Sequence, residues 1–143
     1  MEQQMFGGSH VVRAERPLWE SIKRGTLGKC PRCGSGKLFA SFLKTVDHCE
    51  CCGEEIHHHR ADDLPAYLTL VIIGHVIIGA FMGVEAAVNL SLIQHLLIWV
   101  PVTILSSLAL LRPIKGGVVG LQWALMMHGF GGEAEQLETH PEL

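Results

Sequence analysis

Five cysteines within a stretch of 23 residues carry the clearest chemistry in the sequence. Cys30 and Cys33 form one C-x-x-C-G motif, and Cys49 and Cys52 form a second, with 15 residues between the pairs. Two residues between thiolates let both sulfurs reach one ion from a single tight turn, and this spacing is typical of zinc-ribbon sites. The sequence therefore predicts a structural zinc ion held by Cys30, Cys33, Cys49 and Cys52.

Other uses of these cysteines stay open. Disulfides would need an oxidising compartment, a redox C-x-x-C pair would need a βαβ context, and four thiolates also suit Cu(I) or an iron–sulfur cluster. Cys51 is expected to be a spectator, because Cys49 and Cys52 repeat the spacing and the following glycine of the first pair. Gly34 and Gly53 are expected to supply the left-handed backbone that each turn needs.

The knuckle that would hold this ion is predicted at residues 24–60. Between the cysteine pairs lies a segment suited to two short strands or a hairpin, with Leu38, Phe39, Phe42 and Leu43 as a miniature core. So few apolar residues could not hold a fold alone. A structural Zn²⁺ would supply the missing free energy, about 10–16 kcal/mol in zinc-finger peptides.

Charge is distributed very unevenly along the chain. Residues 1–63 contain nine of the eleven Lys and Arg, whereas 64–111 contain one charged residue, Glu85. The uncharged runs on either side of Glu85 are long enough for the roughly 20 residues that a transmembrane helix requires. We therefore predict an all-helical membrane protein with a transmembrane hairpin. Its predicted spans are 64–84 and 90–111.

A soluble helical hairpin is disfavoured, because a soluble helix would show a polar face every 3.6 residues. Segment 68–84 has only Thr69 and His75 as polar side chains. The connector between the spans carries no Lys or Arg, so the positive-inside rule places both termini in the cytosol. The net charge of −3 gives no indication of nucleic-acid binding.

The remaining segments are predicted to lie outside the bilayer core. Residues 1–23 are expected to form a disordered polar tail without a signal peptide, and 131–143 an acidic tail. The glycine-rich segment 116–130 is expected to form an amphipathic helix at the cytosolic membrane surface, with Trp123 at headgroup level.

Two groups of histidines have open roles. Residues 57–63 contain three histidines and two aspartates, which would suit a second divalent metal, lipid headgroups or a solvated helix start. His75 lies near mid-span, in one stripe with Gly79 and Gly83, so we expect it to face a partner helix. A neutral histidine bonded across the helix pair is favoured over metal or haem ligation with His95. The same glycines are the predicted contact of a homo-oligomer.

Five motifs in order resemble the DUF983 family of uncharacterised bacterial membrane proteins, over about residues 24–130. The resemblance implies the architecture above and a bacterial inner-membrane location. Family members are often encoded beside cytochrome oxidase subunits and assembly factors, which implies respiratory-complex subunits as partners. Cys51 and the three consecutive histidines go beyond the family pattern. The motifs are R-G-x-x-G-x-C-P-x-C-G at 24–34, C-x-x-C-G at 49–53, H-R-A-D-D-x-P-A-Y at 59–67, R-P-x-K-G at 112–116 and L-Q-W at 121–123.

The leading hypothesis is a non-enzymatic scaffold or assembly factor, and the resemblance implies cytochrome oxidase biogenesis as its process. The alternative is a metal-handling membrane protein that binds Cu or Zn through the knuckle and the residues at 57–63. An enzyme is not expected, because the sequence offers no nucleophile–base pair, phosphate loop or open metal site.

Overall fold

The computed structural model describes residues 15–57, 63–127 and Phe130. Three helices lie in this part of the chain: α1 (Leu18–Thr26), α2 (Leu64–Ala87) and α3 (Leu92–Ala124). The predictions for residues 1–14, for the acidic tail at 131–143 and for most of the His/Asp cluster, at 58–62, fall outside the described residues.

Helices α2 and α3 are long and apolar enough to cross a membrane. They contain 24 and 33 residues, which at 1.5 Å per residue gives about 36 and 50 Å, against a hydrocarbon core of about 30 Å. In the most apolar 18-residue stretch of each helix, 11% of the α2 residues and none of the α3 residues are buried. A soluble hairpin would bury these side chains, so their exposure favours a lipid environment.

Polar and aromatic contacts stabilise the short connection between α2 and α3. Ser91 begins α3 with a capping box, in which its Oγ accepts from the backbone N–H of Gln94 and the Gln94 side chain accepts from the Ser91 N–H. Phe81 of α2 packs against His95 and Trp99 of α3, with ring centroids 4.9 and 5.8 Å apart. These contacts hold the helices antiparallel.

His75 does not take part in this interface. It is exposed, and its Nδ1 lies 2.7 Å from the carbonyl oxygen of Val71 in its own helix. The prediction that His75 bonds across the helix pair is therefore wrong. No described atom outside the local helix lies within 4 Å of where a Cβ on Gly79 or Gly83 would stand. Self-association through these glycines stays a prediction.

His95 lies near the connector between α2 and α3. Trp99 Nε1 donates to His95 Nδ1 at 3.2 Å, and His95 Nε2 lies 2.9 Å from a carboxylate oxygen of Glu85. Nδ1 accepts from Trp99, whereas Nε2 makes no hydrogen bond among the described residues despite its short distance from the Glu85 carboxylate. His75 and His95 thus have separate surroundings, which gives no support to a shared metal or haem.

The end of α3 differs from the sequence prediction. The predicted second span ends at residue 111 and is followed by a separate interfacial helix at 116–130, but α3 runs unbroken to Ala124. The helix therefore continues past the predicted end of the span, without a separate helix beginning at 116, while the place where α3 leaves the membrane stays a prediction. A proline in a helix interior costs roughly 3 kcal/mol, yet the helix continues through Pro101 and Pro113.

Packing against the knuckle explains why α3 continues past Pro113. Val118, Val119 and Trp123 are buried, and the two valines belong to the same core cluster as Cys30 and Leu38. Burial of each such side chain contributes about 1.5–3 kcal/mol, which offsets the cost of the proline. Trp123 therefore lies buried inside a folded unit, whereas the sequence placed it on an amphipathic surface helix. We call this unit the head domain: α1, the knuckle at 27–57 and α3 from Gly116 onward.

Helix α1 also departs from prediction, since it begins within the segment expected to be disordered. Its buried residues, Ser21 and Gly25, lie against the last turns of α3. A Cβ on Gly25 would collide with the carbonyl group of Gly116, and a Cβ on Gly120 with that of Ser21. The two helix backbones approach so closely that only glycine fits at the crossing.

We expect Gly116→Ala to loosen α1 from α3. The added methyl group meets the Gly25 backbone, which cannot move away as a flexible side chain would, and such overpacking costs about 1–3 kcal/mol. Hydrogen exchange of the α1 amides should then accelerate about 5- to 150-fold. Gly74→Ala is the matched control, because its Cβ would enter open space. Equal exchange in the two variants would contradict this crossing.

Candidate metal centre

The structure brings the four sequence-predicted ligands together. The sulfur atoms of Cys30, Cys33, Cys49 and Cys52 all lie within 4.8 Å of one another. The Cys30–Cys52 and Cys33–Cys49 sulfur pairs are each 3.7 Å apart. A tetrahedral ion with Zn–S bonds of about 2.3 Å would place its sulfurs about 3.8 Å apart. The four cysteines are thus positioned to bind one metal ion.

The fifth cysteine lies outside this group. Cys51 is exposed, whereas Cys30 and Cys49 are buried and Cys33 and Cys52 are half-buried. All five are free thiols, and sulfurs 3.7 Å apart are far beyond the bond length of about 2.05 Å in a disulfide. The spacing matches shared coordination and gives no support to the disulfide alternative.

Two matching turns present the cysteine pairs. Gly34 N–H donates to the carbonyl oxygen of Cys30 at 2.9 Å, and Gly53 N–H donates to that of Cys49 at 3.0 Å. Both glycines have left-handed backbone, with φ of 69° and 72°. The glycine after each motif therefore has the conformational role predicted from the sequence.

The knuckle between these turns has little regular structure. Its described residues form isolated antiparallel bridges, among them Lys29 with Lys37 and Phe39 with Thr45, without an extended strand pair. Of the predicted miniature core, Leu38 and Phe39 are buried, whereas Phe42 is 48% exposed. The interior is completed by Ile56 from beyond the second cysteine pair and by α3.

The thiols of the cluster are electrostatically unequal. The Gly36 backbone N–H, 3.5 Å from the Cys33 sulfur, lowers the pKa of Cys33 to about 6. Burial raises the pKa of both Cys30 and Cys52. Cys33 is therefore a thiolate at neutral pH and suits the role of first ligand. Cys30 and Cys52 need a nearby cation to lose their protons, so metal binding would release protons.

Gly36 is a site residue that the sequence reasoning missed. Besides its N–H contact with Cys33, its carbonyl oxygen accepts from the Cys30 N–H at 2.8 Å. A Cβ at this position would overlap the Cys49 sulfur. The only sequence signal is the S-G-K segment after the first motif, which by itself reads as an ordinary turn.

Arg24 anchors the first turn to α1. Its guanidinium donates to the carbonyl oxygens of Pro31 and Arg32, at 3.2 and 3.0 Å, and it pairs with Glu20 at 3.3 Å. Charged donors to backbone carbonyls make stronger hydrogen bonds than neutral ones. The arginine of the R-G-x-x-G motif therefore positions the first cysteine pair.

The second turn is joined to α3 by contacts among Glu54, Trp123 and Arg16. Trp123 Nε1 donates to a Glu54 carboxylate oxygen at 3.0 Å, and the other oxygen pairs with Arg32 at 3.1 Å. Arg16 lies over the Trp123 ring, 4.5 Å from its centroid, and donates to the Trp123 carbonyl oxygen at 2.7 Å. The cluster is thereby joined to the end of a membrane-length helix.

Comparison with known proteins gave one family match. The model of a family described as a protein of unknown function (DUF983) matches residues 39–123. This range includes Cys49, Cys52 and Trp123 but not the first cysteine pair, so it confirms the sequence resemblance over a shorter span than 24–130. No curated protein and no solved structure matches the chain significantly.

Proposed function

The chain belongs to the DUF983 family, whose model covers more than half of its length, and from this premise we propose that it is a non-enzymatic scaffold or assembly factor of the bacterial inner membrane. Helices α2 and α3 cross the bilayer, and the zinc-bearing head domain binds a partner at the cytosolic face. One observation carries the proposal: a closed four-cysteine site is fastened to the end of a helix long enough to cross the membrane.

The geometry of the cysteine cluster supports a structural ion. Four protein ligands complete a tetrahedral zinc site and leave no open position for substrate, unlike the three-ligand arrangement of catalytic zinc. The buried Cys30 and Cys49 hold the ion inside the head domain. In this role the metal shapes a recognition surface and performs no chemistry.

The charge distribution supports the orientation. All but two of the basic residues precede α2, and those two, Arg112 and Lys115, lie at the head-domain end of α3. The connector at 88–91 contains none. The positive-inside rule then places the head domain in the cytosol, where reduced thiols persist.

Trp19 marks the surface that we assign to the partner. It lies on α1 and is 76% exposed, more than any other large hydrophobic side chain among the described residues. Tryptophan is enriched among residues that dominate protein–protein binding energy. An exposed tryptophan on a rigid domain, away from the buried α1–α3 crossing, suits an anchor for a partner protein.

The test is site-specific photo-crosslinking in native membranes. A photoreactive residue at position 19 is expected to capture a membrane-protein partner, and the exposed position of Lys37 serves as the control. Trp19→Ala should abolish co-purification of the same partner while metal content stays unchanged. A respiratory-complex subunit as the captured partner would establish the cytochrome oxidase version. Capture equal to that at position 37, or a chain released from membranes by carbonate, would refute the proposal.

A metal-handling role is the second candidate. It is favoured by the neighbouring imidazoles of His48 and His57, whose ring centroids are 5.6 Å apart beside the His/Asp segment. Transfer of Cu or Zn requires a second binding site, so this role predicts more than one metal per chain. Elemental analysis distinguishes the two candidates, because the scaffold carries one.

A further inference from the structure

A groove lies where the head domain meets the membrane-length part of α3. Its volume is about 270 Å³. The α1 end, the knuckle and one face of α3 all contribute to its walls, so it exists only because α3 continues into the head domain. The residues that matter for its chemistry are Leu27, Phe42, Leu108, Ala109, Arg112 and Pro113.

The apolar walls of this groove are open to the surroundings. Leu27, Phe42 and Leu108 are all exposed, although they come from three separate segments of the chain. They therefore lie outside the head-domain interior, in which Leu38, Ile56 and Val119 are fully buried. Three converging exposed apolar side chains indicate a surface that contacts something apolar.

Arg112 places one positive charge at the same groove. Its guanidinium carbon lies 5.1 Å from the Phe39 ring centroid, which orients the group while leaving it exposed. Arg24 and Arg32 pair with Glu20 and Glu54. Arg112, in contrast, has no carboxylate partner among the described residues, so its donors are available to an anion.

The position of Arg112 along α3 fits the level of lipid phosphates. It follows Leu92 by 20 residues, and at 1.5 Å per residue this rise is about 30 Å, the thickness of the hydrocarbon core. A helix that enters the core at Leu92 therefore leaves it at Arg112. Leu108, one turn earlier, lies at the level of the first acyl methylenes.

We propose that this groove binds the headgroup region of an anionic phospholipid. The Arg112 guanidinium donates to the phosphate, and Leu27, Phe42 and Leu108 contact the adjoining acyl chains. Basic pockets beside transmembrane helices at the cytosolic side suit such headgroups. The volume is below the 300–1,000 Å³ of typical ligand pockets, which fits a headgroup and not a whole lipid.

Pro113 should give the groove a preference for a lipid headgroup that carries hydroxyl groups, such as glycerol. Because proline has no N–H, the carbonyl oxygen of Ala109 lacks its α-helical donor, and Ala109 lines the groove. A headgroup hydroxyl can donate to this oxygen, whereas the trimethylammonium of choline cannot. The inference rests on the membrane-spanning part of the proposed function and is independent of the protein partner.

The experiment titrates the full-length protein, in neutral detergent, with phosphatidylglycerol or phosphatidylcholine and counts bound lipids by native mass spectrometry. The wild type should bind one phosphatidylglycerol at least tenfold more tightly than phosphatidylcholine. Arg112→Gln should weaken phosphatidylglycerol binding about tenfold or more, since a charged hydrogen bond is lost. Lys37→Gln, which removes an exposed charge outside the groove, should leave binding unchanged.

Metal content reports whether Arg112→Gln remains folded. Should it fall, Phe42→Asp replaces it, because this exposed position tolerates change while the carboxylate repels phosphate; it should also lose phosphatidylglycerol. Equal binding of the two lipids, unchanged binding in these variants, or full displacement by millimolar inorganic phosphate would overturn the proposal. Carbonate extraction tests membrane insertion separately, and a failed crosslink at Trp19 leaves the lipid result intact.

Discussion

Replacing Cys33 with serine is expected to strip the protein of its metal and unfold the knuckle. Cys33 is the thiol whose pKa is lowered to about 6, so its loss removes the ligand that is already ionised at neutral pH. Structural zinc contributes about 10–16 kcal/mol in zinc-finger peptides, far more than a knuckle with three large buried apolar side chains can replace. Metal content, measured by elemental analysis of the purified protein, should fall from one ion per chain to near zero.

Cys51→Ser is the matched control for this loss. Cys51 is one residue from a ligand but is exposed and lies outside the sulfur cluster, so its removal should leave one ion per chain. Protease digestion should cut the Cys33→Ser knuckle rapidly and leave the Cys51→Ser knuckle intact. A Cys33→Ser protein that retained a full complement of metal and the protected fragment would contradict the ligand assignment.

The cysteine cluster could be predicted from the sequence because its determinants are local. Two residues between cysteines fix a turn, and a glycine directly afterwards supplies the left-handed backbone, as the φ values of Gly34 and Gly53 show. The long apolar runs were predictable for the same reason, since hydropathy needs no tertiary context. Each of these signals is complete within a few neighbouring residues.

The head domain could not be predicted in this way, because it depends on contacts between distant segments. Gly116 and Gly120 suggest a weak helix when viewed alone, since glycine costs about 1 kcal/mol per residue in a helix. They are helical because α1, more than 90 residues earlier in the chain, packs directly on them. Trp123 likewise resembles an interfacial anchor until Glu54 and Arg16 are placed around it.

Phe42 shows the opposite error. Its apolar type and its place between the cysteine pairs predicted a core position, yet the side chain is 48% exposed. The knuckle core is filled instead by Ile56 and by the α3 valines, which leaves Phe42 on the side of the groove. Residue type alone does not distinguish a side chain that faces the core from one that lines a surface groove.

Trp123→Ala is expected to detach the head domain from the end of α3. Trp123 is 5% exposed, donates to Glu54 and supports Arg16. Loss of a buried tryptophan costs about 3–5 kcal/mol, and the freed Glu54 carboxylate would keep only its contact with Arg32. Hydrogen exchange of the Cys30 and Leu38 amides, which are hydrogen-bonded inside the knuckle, should accelerate by about two to four orders of magnitude in the metal-bound protein as local opening becomes easier.

Trp19→Ala is the control for Trp123→Ala, because it removes an exposed tryptophan in place of a buried one. Because Trp19 is 76% exposed, its removal should change the opening free energy by less than about 0.5 kcal/mol, although it should lose the partner. Trp123→Phe keeps an aromatic ring but no indole N–H, so its amide exchange rate should fall between those of wild type and Trp123→Ala. If these amides exchanged no faster in Trp123→Ala than in Trp19→Ala, the end of α3 would not stabilise the knuckle, and the continuous helix would have no energetic basis beyond Pro113.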